Sequence, residues 1–376
     1  MPFRSGAGSV ETRHRRHPNL PEVCMAAELS PPFFDGHNDT VLKILMDKAR
    51  VADIVQGYDS GHIDLPRARA GGFGGGFFAI FVPSPRGSAD RMEEAQPGGY
   101  DFPLPEMLDQ AYALDFVNRG FEVFADLESA GAITICRSAG EVGVALDSDR
   151  MAAVIHIEGA EAIGPDCAEL EDFHARGLRS LGPVWSRPTI FGEGVPFRYP
   201  STGDIGNGLT EAGKRLVKEC NRLKIMIDLS HLNEKGMDDV AALSDAPLVA
   251  THSNAYEICP HARNLTDRQL RQIAESDGMV GINLASGFLR PDGRMASDFG
   301  LDVLLRHLDH LINIVGEDRV GLGSDFDGAL VPKDIGDCAG LPNLRAAMTD
   351  HGVDAALMTK LTHGNWLRVM RKTWGE

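Results

Sequence analysis

The sequence lacks long hydrophobic runs and any excess of positive charge, and both absences limit the classes of partner that it can bind. No run approaches the ~18 consecutive apolar residues that a membrane-spanning helix needs. Lys and Arg number 37 against 54 Asp and Glu, which gives a formal net charge of −17. A surface this acidic repels nucleic acid and anionic membranes. We therefore expect neither as a partner and favour a small molecule.

Several reactive motifs are also missing. The six cysteines are scattered without a C-x-x-C pair, which predicts neither a disulfide framework nor a cysteine zinc site but reduced thiols in a cytoplasm. Ser230 and Ser324 stand outside any G-x-S-x-G elbow, which argues against a nucleophilic serine. GGFGGG at 71–76 precedes an apolar run instead of opening a helix. This pattern indicates close backbone packing and not a phosphate-binding loop.

The N-terminal residues differ in character from the rest. Residues 1–24 carry a cluster of arginines but no apolar stretch after it, as a secretory or twin-arginine signal would require. We expect a flexible extension there. The remainder, 25–376, is predicted to form a single domain, because a chain of 376 residues with 43% hydrophobic content can bury one large core.

Short apolar runs recur along the chain, and the segments between them are long enough to hold helices. Such alternation is typical of repeated βα units. The eight runs are 32–37, 75–82, 152–158, 178–185, 225–231, 247–253, 279–285 and 320–326. Helices are predicted at 209–223 and 301–315, and closing helices at 353–374. The pattern predicts a (β/α)8 TIM barrel with long loops, although it leaves an open doubly wound sheet as an alternative.

Residues that can bind metal or move protons collect at the C-terminal ends of these runs. In barrel enzymes that end holds the active site. His37 and Asp39 share one side of the first strand, because side chains alternate with a period of two. Glu158 ends the third run, His231 the fifth, His252 the sixth and Asp325 the eighth. Imidazole and carboxylate ligands of this kind suit zinc.

Each of these residues taken alone has a structural alternative. A histidine at a strand end is more often a hydrogen-bonded structural residue than a ligand. Asp39 and Asp325 could cap a helix or a βα turn, and Glu158 could pair with an arginine. Structural roles alone do not readily explain why such residues occur together at the same end of five different strands. The combination therefore predicts a metal site.

Other polar residues near these segments carry weaker signals. Packing roles are at least as good an explanation for His156, His261 and Cys259 as functional ones. The stretch 186–208, rich in glycine and proline, is predicted to be a long irregular loop over the barrel mouth. We expect it to contribute to specificity.

Five motifs together resemble those of the renal (membrane) dipeptidases, which belong to the amidohydrolase superfamily. They are FFDGHNDT, IEG at 157–159, IDLSH, THSNAY with HARN at 261–264, and GLGSDFDG. The similarity extends from about residue 33 to GNWLRV at 364–369. The resemblance implies an enzyme that hydrolyses dipeptides with the help of two divalent metal ions, and zinc is the expected metal.

The resemblance also implies a role for individual residues. His37 and Asp39 would hold one zinc ion, His231 and His252 the other, and Glu158 would bridge them. Asp325 would act as the acid and base of the reaction. Arg263 would clamp the terminal carboxylate of the substrate, since its planar fork donates two parallel hydrogen bonds.

One residue departs from the family pattern. Trp185 stands where family members carry a histidine thought to stabilise the oxyanion. The indole could donate one hydrogen bond in its place, could narrow the substrate pocket, or could simply pack. Two other functions stay open: an amidohydrolase acting on N-acyl amino acids, and a barrel that binds peptides without cleaving them. The sequence also leaves open whether the chain forms a homodimer.

Overall fold

The computed structural model describes residues 30–85 and 98–376, so the extension predicted at 1–24 lies outside the described residues. The strands in these ranges are β1 (Phe33–Asn38), β2 (Phe73–Phe81), β3 (Tyr100–Asp101), β4 (Ile133–Ile135), β5 (Met151–Glu158), β6 (Leu178–Gly182), β7 (Arg198–Tyr199), β8 (Met226–Ile227), β9 (Val249–Ala250), β10 (Met279–Ile282) and β11 (Val320–Leu322).

Helices occupy most of the connections between the strands. They are α1 (Thr40–Leu45), α2 (Val51–Gln56), α3 (Leu65–Gly71), α4 (Gln110–Ser129), α5 (Ala139–Leu146), α6 (Glu169–Arg176), α7 (Glu211–Leu223), α8 (Glu234–Leu243), α9 (Asp267–Glu275), α10 (Ser286–Leu289), α11 (Asp302–Val315), α12 (Leu341–Asp350), α13 (Ala355–Thr359) and α14 (Asn365–Trp374). Those predicted at 209–223 and 301–315 are confirmed as α7 and α11. No helix in the described ranges is both long and apolar enough to cross a bilayer.

Eight parallel strands form the barrel, in the order β8, β6, β5, β2, β1, β11, β10, β9. A bridge between Asp228 and Val249 joins the two outer strands and completes the ring. Each barrel strand falls within or overlaps one of the eight predicted runs, so the predicted (β/α)8 fold is confirmed. β4, which pairs with β5 outside the ring, was not predicted. The apolar stretch around it, 132–136, is shorter than the runs that contain the barrel strands.

The glycine-rich segment 71–76, which runs into β2, packs as predicted. Gly75 has a φ of 144°, and a Cβ atom there would overlap the backbone of Ala152 on β5. Only glycine permits this backbone conformation together with so close an approach between the strands.

Apolar side chains fill the barrel interior near the beginnings of the strands. Phe34, Phe77 and Trp366 contact one another, with ring centroids 5.4–6.4 Å apart, and all are buried. The indole of Trp366, on α14, donates to the Leu322 carbonyl at 3.0 Å. This end of the barrel is closed, which leaves the opposite end for polar side chains.

The stretch 186–208 is not wholly irregular, contrary to prediction. It contains β7, which pairs antiparallel with β3. The hydroxyl groups of Tyr100 and Tyr199 donate to the carbonyls of Gly293 and Pro291, at 3.0 and 2.5 Å. Unlike β8 and β9, which also have two residues, β7 lies in no longer apolar run, so only its tertiary partners define it.

Candidate active site

The predicted site residues meet at the carboxyl end of the barrel, but several lie beyond the strands. His37 is within β1 and Glu158 is the last residue of β5. His231, His252 and Asp325 follow the ends of β8, β9 and β11, in segments that have left the sheet. Loops therefore position much of the site, where the sequence had predicted strand ends.

Three overlapping groups of side chains are close enough to hold metal ions. In each group the possible ligand atoms lie within 4.8 Å of one another. The groups are Glu158 with His231 and His252, His37 with Asp39 and Asp325, and His37 with Asp228 and His252. The five residues that the sequence assigns to metal thus come together in one cluster.

Glu158 lies at the centre of this cluster. Its Oε1 atom is 3.0 Å from His231 Nε2, 3.4 Å from His252 Nε2 and 3.7 Å from His37 Nε2. The Nε2 atoms of His231 and His252 are 3.1 Å apart. An arginine partner, the alternative for Glu158, is not among its close contacts within the described ranges.

Hydroxyl groups orient two of the imidazoles. Thr251 Oγ1 lies 2.8 Å from His252 Nδ1, and it donates its own proton to Asp228 Oδ2 at 2.7 Å. The oxygen must therefore accept from Nδ1–H, which leaves a lone pair on His252 Nε2. Ser186 Oγ contacts His231 Nδ1 at 2.8 Å in a similar way. Metal-binding histidines are typically held through the second ring nitrogen like this.

His37 and Asp39 have the unsatisfied atoms that a cation would bind. Both ring nitrogens of His37 and Oδ1 of Asp39 are buried without a hydrogen-bond partner in the described structure. Asp39 occupies the N-cap position of α1, but its side chain accepts no capping hydrogen bond. Buried polar atoms without partners are costly, so a ligand role explains them better than capping. The donor set fits divalent metal.

The electrostatics of the cluster also favour a cation. Burial, with the charges of Asp39 and Asp325, raises the pKa of Glu158 well above its ordinary value. Burial lowers the pKa of His231 and His252 well below the ordinary value, so both rings are neutral. Burial lowers the pKa of His37 as well, but Glu158, Asp39 and Asp325 outweigh it and raise the value to about 10. His231 and His252 are therefore already in the neutral form that metal ions bind, whereas His37 must give up a proton to bind one.

Asp325 is held at the edge of the cluster by its backbone and by one side chain. It has a φ of 61°, and its N–H donates to the His37 carbonyl at 3.0 Å. Asn283 Nδ2 donates to Asp325 Oδ2 at 3.0 Å. Burial raises the pKa of Asp325. Sequence reasoning missed Asn283, because its only sequence signal is that it directly follows the apolar strand β10.

Asp228 was also missed, although it stands inside the IDLSH motif. Its carboxylate accepts from the N–H and Oγ of Ser230 and from the N–H and Oγ1 of Thr251, at 2.6–3.1 Å. It lies 3.6 Å from Nε2 of the buried His156. An aspartate inside an apolar run, two residues before Ser230, was the available signal. Asp228 aligns the segments that carry both His231 and His252.

Arg263 lies beneath these same segments. Its guanidinium donates to the carbonyl oxygens of Ser230 and His252, the latter at 3.1 Å. Its Nε is buried without a partner among the described residues. Burial lowers the pKa of Arg263 to about 10, opposed by Asp325 and Glu158. The side chain therefore remains cationic at neutral pH beside the cluster.

Trp185 borders the site on the side of His231. The two ring centroids are 5.9 Å apart, and Trp185 also contacts Phe81 at 4.9 Å and Phe197 at 5.5 Å. The residue is 9% exposed. These rings form a continuous aromatic wall, which we define as Phe81, Trp185 and Phe197.

Comparisons with known proteins agree with this geometry. A metallopeptidase from Rhodobacter sphaeroides, solved with a phosphinate mimic of the dipeptide L-Ala-D-Ala, is 55% identical, and the match covers 91% of this chain and 99% of that one with a TM-score of 0.86. The dipeptidase AC, a metallopeptidase of family M19, is 54% identical, with 92% and 99% covered and a TM-score of 0.87. A Klebsiella pneumoniae protein described as an uncharacterized protein in the pqqA 5′ region is 48% identical over 248 residues, which are 66% of this chain and 92% of that protein.

A family model matches nearly the whole chain. The model of the membrane dipeptidases, peptidase family M19, covers residues 27–374. That span includes the complete barrel and every residue of the cluster. The chain therefore belongs to the membrane dipeptidase family, peptidase family M19.

Proposed function

We propose that this protein hydrolyses dipeptides that carry a free C-terminal carboxylate, with two divalent metal ions, zinc, as its cofactor. One observation carries the proposal: three imidazole Nε2 atoms converge within 3.7 Å of the single carboxylate oxygen Glu158 Oε1. Membership of the dipeptidase family supports the reaction type.

The ligands divide between two positions. His37 and Asp39 would hold one ion and His231 and His252 the other, with Glu158 between them. Divalent ions there supply Lewis acidity to the peptide carbonyl and lower the pKa of water. Hydroxyl groups on Ser186 and Thr251 keep two of the imidazoles turned towards Glu158.

Asp325 is proposed as the general base and acid. Its carboxylate takes the proton of the attacking water and returns it to the leaving amine, a role usually worth ~10²- to 10⁴-fold in rate. Asn283 fixes one carboxylate oxygen, so the other is the one available for proton transfer. Burial, which raises the pKa of Asp325, brings it nearer to the pH at which it must exchange protons.

Arg263 and Trp185 are proposed to select the substrate. The buried Arg263 cation attracts the terminal carboxylate, and its unpartnered Nε is a free donor for it. Trp185 adds bulk beside His231 and limits the adjacent substrate side chain to a small one. The ligand of the Rhodobacter sphaeroides relative, a mimic of L-Ala-D-Ala, supports small side chains on both residues.

We place the enzyme in the cytoplasm. The five cysteines in the described ranges are all buried free thiols, which suits a reducing compartment.

Metal analysis and a substrate panel test the function. We expect two zinc ions per chain in fully loaded protein, and hydrolysis of L-Ala-L-Ala or L-Ala-D-Ala that is much faster than hydrolysis of the same dipeptides amidated at the C-terminus. Full activity with one ion or fewer contradicts the binuclear site. Faster hydrolysis of N-acetylalanine than of any dipeptide supports the N-acyl amino acid alternative. Tight dipeptide binding without turnover by the loaded protein identifies a binding barrel.

A further inference from the structure

A buried arginine behind the aromatic wall ties together segments that follow three neighbouring barrel strands. Arg187 is fully buried. Its Nη1 donates to the Val82 carbonyl at 3.1 Å and to Glu161 Oε1 at 2.8 Å, and its Nη2 donates to Ser84 Oγ at 3.1 Å. Val82 and Ser84 follow β2, Glu161 follows β5, and Arg187 follows β6.

The same guanidinium lies against two rings of the wall. Its Cζ is 5.3 Å from the Trp185 ring and 5.8 Å from the Phe81 ring. A cation at this distance is attracted to the π face of an indole. Trp185 is thus contacted by Arg187, Phe81, Phe197 and His231, so its indole has little freedom to move.

The backbone around Trp185 is equally constrained. The Arg187 N–H donates to the Trp185 carbonyl at 2.7 Å. A Cβ atom on Gly194 would overlap that carbonyl, so only glycine fits at this position of the loop. Arg187 therefore holds Trp185 through both its ring and its backbone.

Glu161 completes the arrangement from the segment that begins with Glu158. It is buried, and its carboxylate packs against Gly159, where any Cβ atom would overlap it. Burial raises the pKa of Glu161, and the charge of Arg187 opposes this effect. Buried ion pairs add little to stability compared with apolar residues of similar size, but they fix geometry because each hydrogen bond has a direction. The Arg187–Glu161 pair is therefore better explained by its fixing the geometry of these segments than by a contribution to stability.

We infer that Arg187 and Glu161 are positioning residues that hold Trp185 and thereby determine which substrate side chains the site accepts. The inference rests on the proposed dipeptidase function and extends it to a residue pair outside the metal cluster. Neither residue is among the ligands of the cluster. A site set in this way excludes dipeptides with bulky side chains and accepts small apolar ones.

Arg187→Lys tests the inference. Lysine keeps the charge but cannot reach all three acceptors and lacks the planar face beside Trp185. We expect kcat/KM for dipeptides with Phe or Leu side chains to rise relative to Ala-Ala by about tenfold, with a smaller loss on Ala-Ala itself. Combined with Trp185→Ala, the same change should alter that ratio by less than about twofold, because residues that act through one another are not additive.

Two further variants keep the outcome clear. Glu161→Gln retains the shape and one acceptor for Arg187, so it replaces Arg187→Lys if the latter does not fold, and it should shift the ratio in the same direction. Arg368→Lys is a matched control: Arg368 donates to the carbonyls of Asp277, Gly278 and Asp318 near the beginnings of β10 and β11, and its change should leave the ratio unaltered. A uniform loss on all substrates, or a shift that persists in the Trp185→Ala background, overturns the inference.

Fluorescence gives a readout that does not need turnover. The contribution of Trp185 is the difference between each protein and its Trp185→Ala counterpart, since Trp366 and Trp374 are common to both. We expect the acrylamide quenching constant of this contribution to rise by about twofold or more in Arg187→Lys, because a nearly buried indole becomes mobile. An unchanged constant overturns the inference. If the wild-type protein cleaves no dipeptide, the proposed function fails, and the fluorescence result still decides the role of Arg187.

Discussion

At the barrel mouth, two aspartates near the same histidine differ in their hydrogen bonds, and this difference suits them to different roles. Asp39 and Asp325 both face His37, yet Asp39 has an oxygen without a partner whereas Asp325 accepts from Asn283. The first suits a metal ligand. The second suits a carboxylate that must keep one oxygen oriented while the other exchanges a proton.

Replacing Asp325 with Asn should separate proton transfer from metal binding. A neutral amide cannot shuttle a proton, so we expect turnover to fall by ~10²-fold or more with metal content near that of the wild type. Steady-state kinetics and metal analysis of the same preparation measure both. Asp126→Asn, on the exposed face of α4, is the control and should change neither. Retained turnover would assign the base to another residue.

At the residue scale the sequence predicted the residues that form the cluster but not the side chains that hold them in place. The H-x-D pair and the isolated Glu and His residues stand out because their chemistry is unusual at strand ends. Asp228 and Asn283 have ordinary residue types and act through partners distant in the chain. Nothing local identifies such partners, so only the folded barrel reveals them.

At the scale of elements, the barrel strands are short and the loops after them carry the chemistry. β8 and β9 have two residues each, and the segments beyond them are fixed by Asp228 and Arg263 instead of by the sheet. The sequence predicted longer strands because the apolar pattern continues past the last ladder hydrogen bond. Burial in a loop and burial in a strand give the same pattern.

Gly328, in the loop after β11, provides a test at this scale. A Cβ atom there would overlap Asp39 Oδ2 and lie 2.5 Å from Asp325 Oδ1. We expect Gly328→Ala to lower metal content and to reduce turnover by about tenfold or more while circular dichroism stays unchanged, because a small displacement of catalytic groups is costly.

Gly143→Ala is the matched control for this prediction. A Cβ atom at Gly143, on α5, would meet nothing within 4 Å. Alanine also favours a helix more than glycine does, so stability should be equal or slightly higher with activity unchanged. If Gly328→Ala behaves in the same way, the loop is not a constraint on the site.

For the whole molecule, metal binding should be coupled to stability and to pH. His37, with a pKa raised to about 10, and Glu158, with a pKa raised by burial, both hold protons that a metal ion must displace. Both folded-state pKa values are raised, so affinity for metal increases as pH rises. The pKa values of His231 and His252 are well below the ordinary value, so both rings stay neutral around neutral pH. They therefore do not make metal affinity depend on pH in the opposite direction.

We expect added zinc to raise the melting temperature of chelator-treated protein, and to raise it more at pH 8 than at pH 6. A ligand at a hundred times its dissociation constant stabilises the folded state by about 2.7 kcal/mol. Thermal unfolding with and without zinc at the two pH values measures the effect. Magnesium at the same concentration is the control, since it binds nitrogen ligands poorly. A shift that is equal at both pH values would contradict the proton competition.

The sequence by itself determined the eight strands, the barrel and the five residues that could bind metal, because these depend on hydrophobic periodicity and on residue type at strand ends. Tertiary structure alone decided the hydrogen bonds of Asp228 and Asn283 and the placing of Arg187 against Trp185. The pairing of β3 with β7 was likewise invisible in the sequence. Each of these contacts joins segments that only barrel closure brings together, and periodicity within one segment contains no information about its neighbour in space.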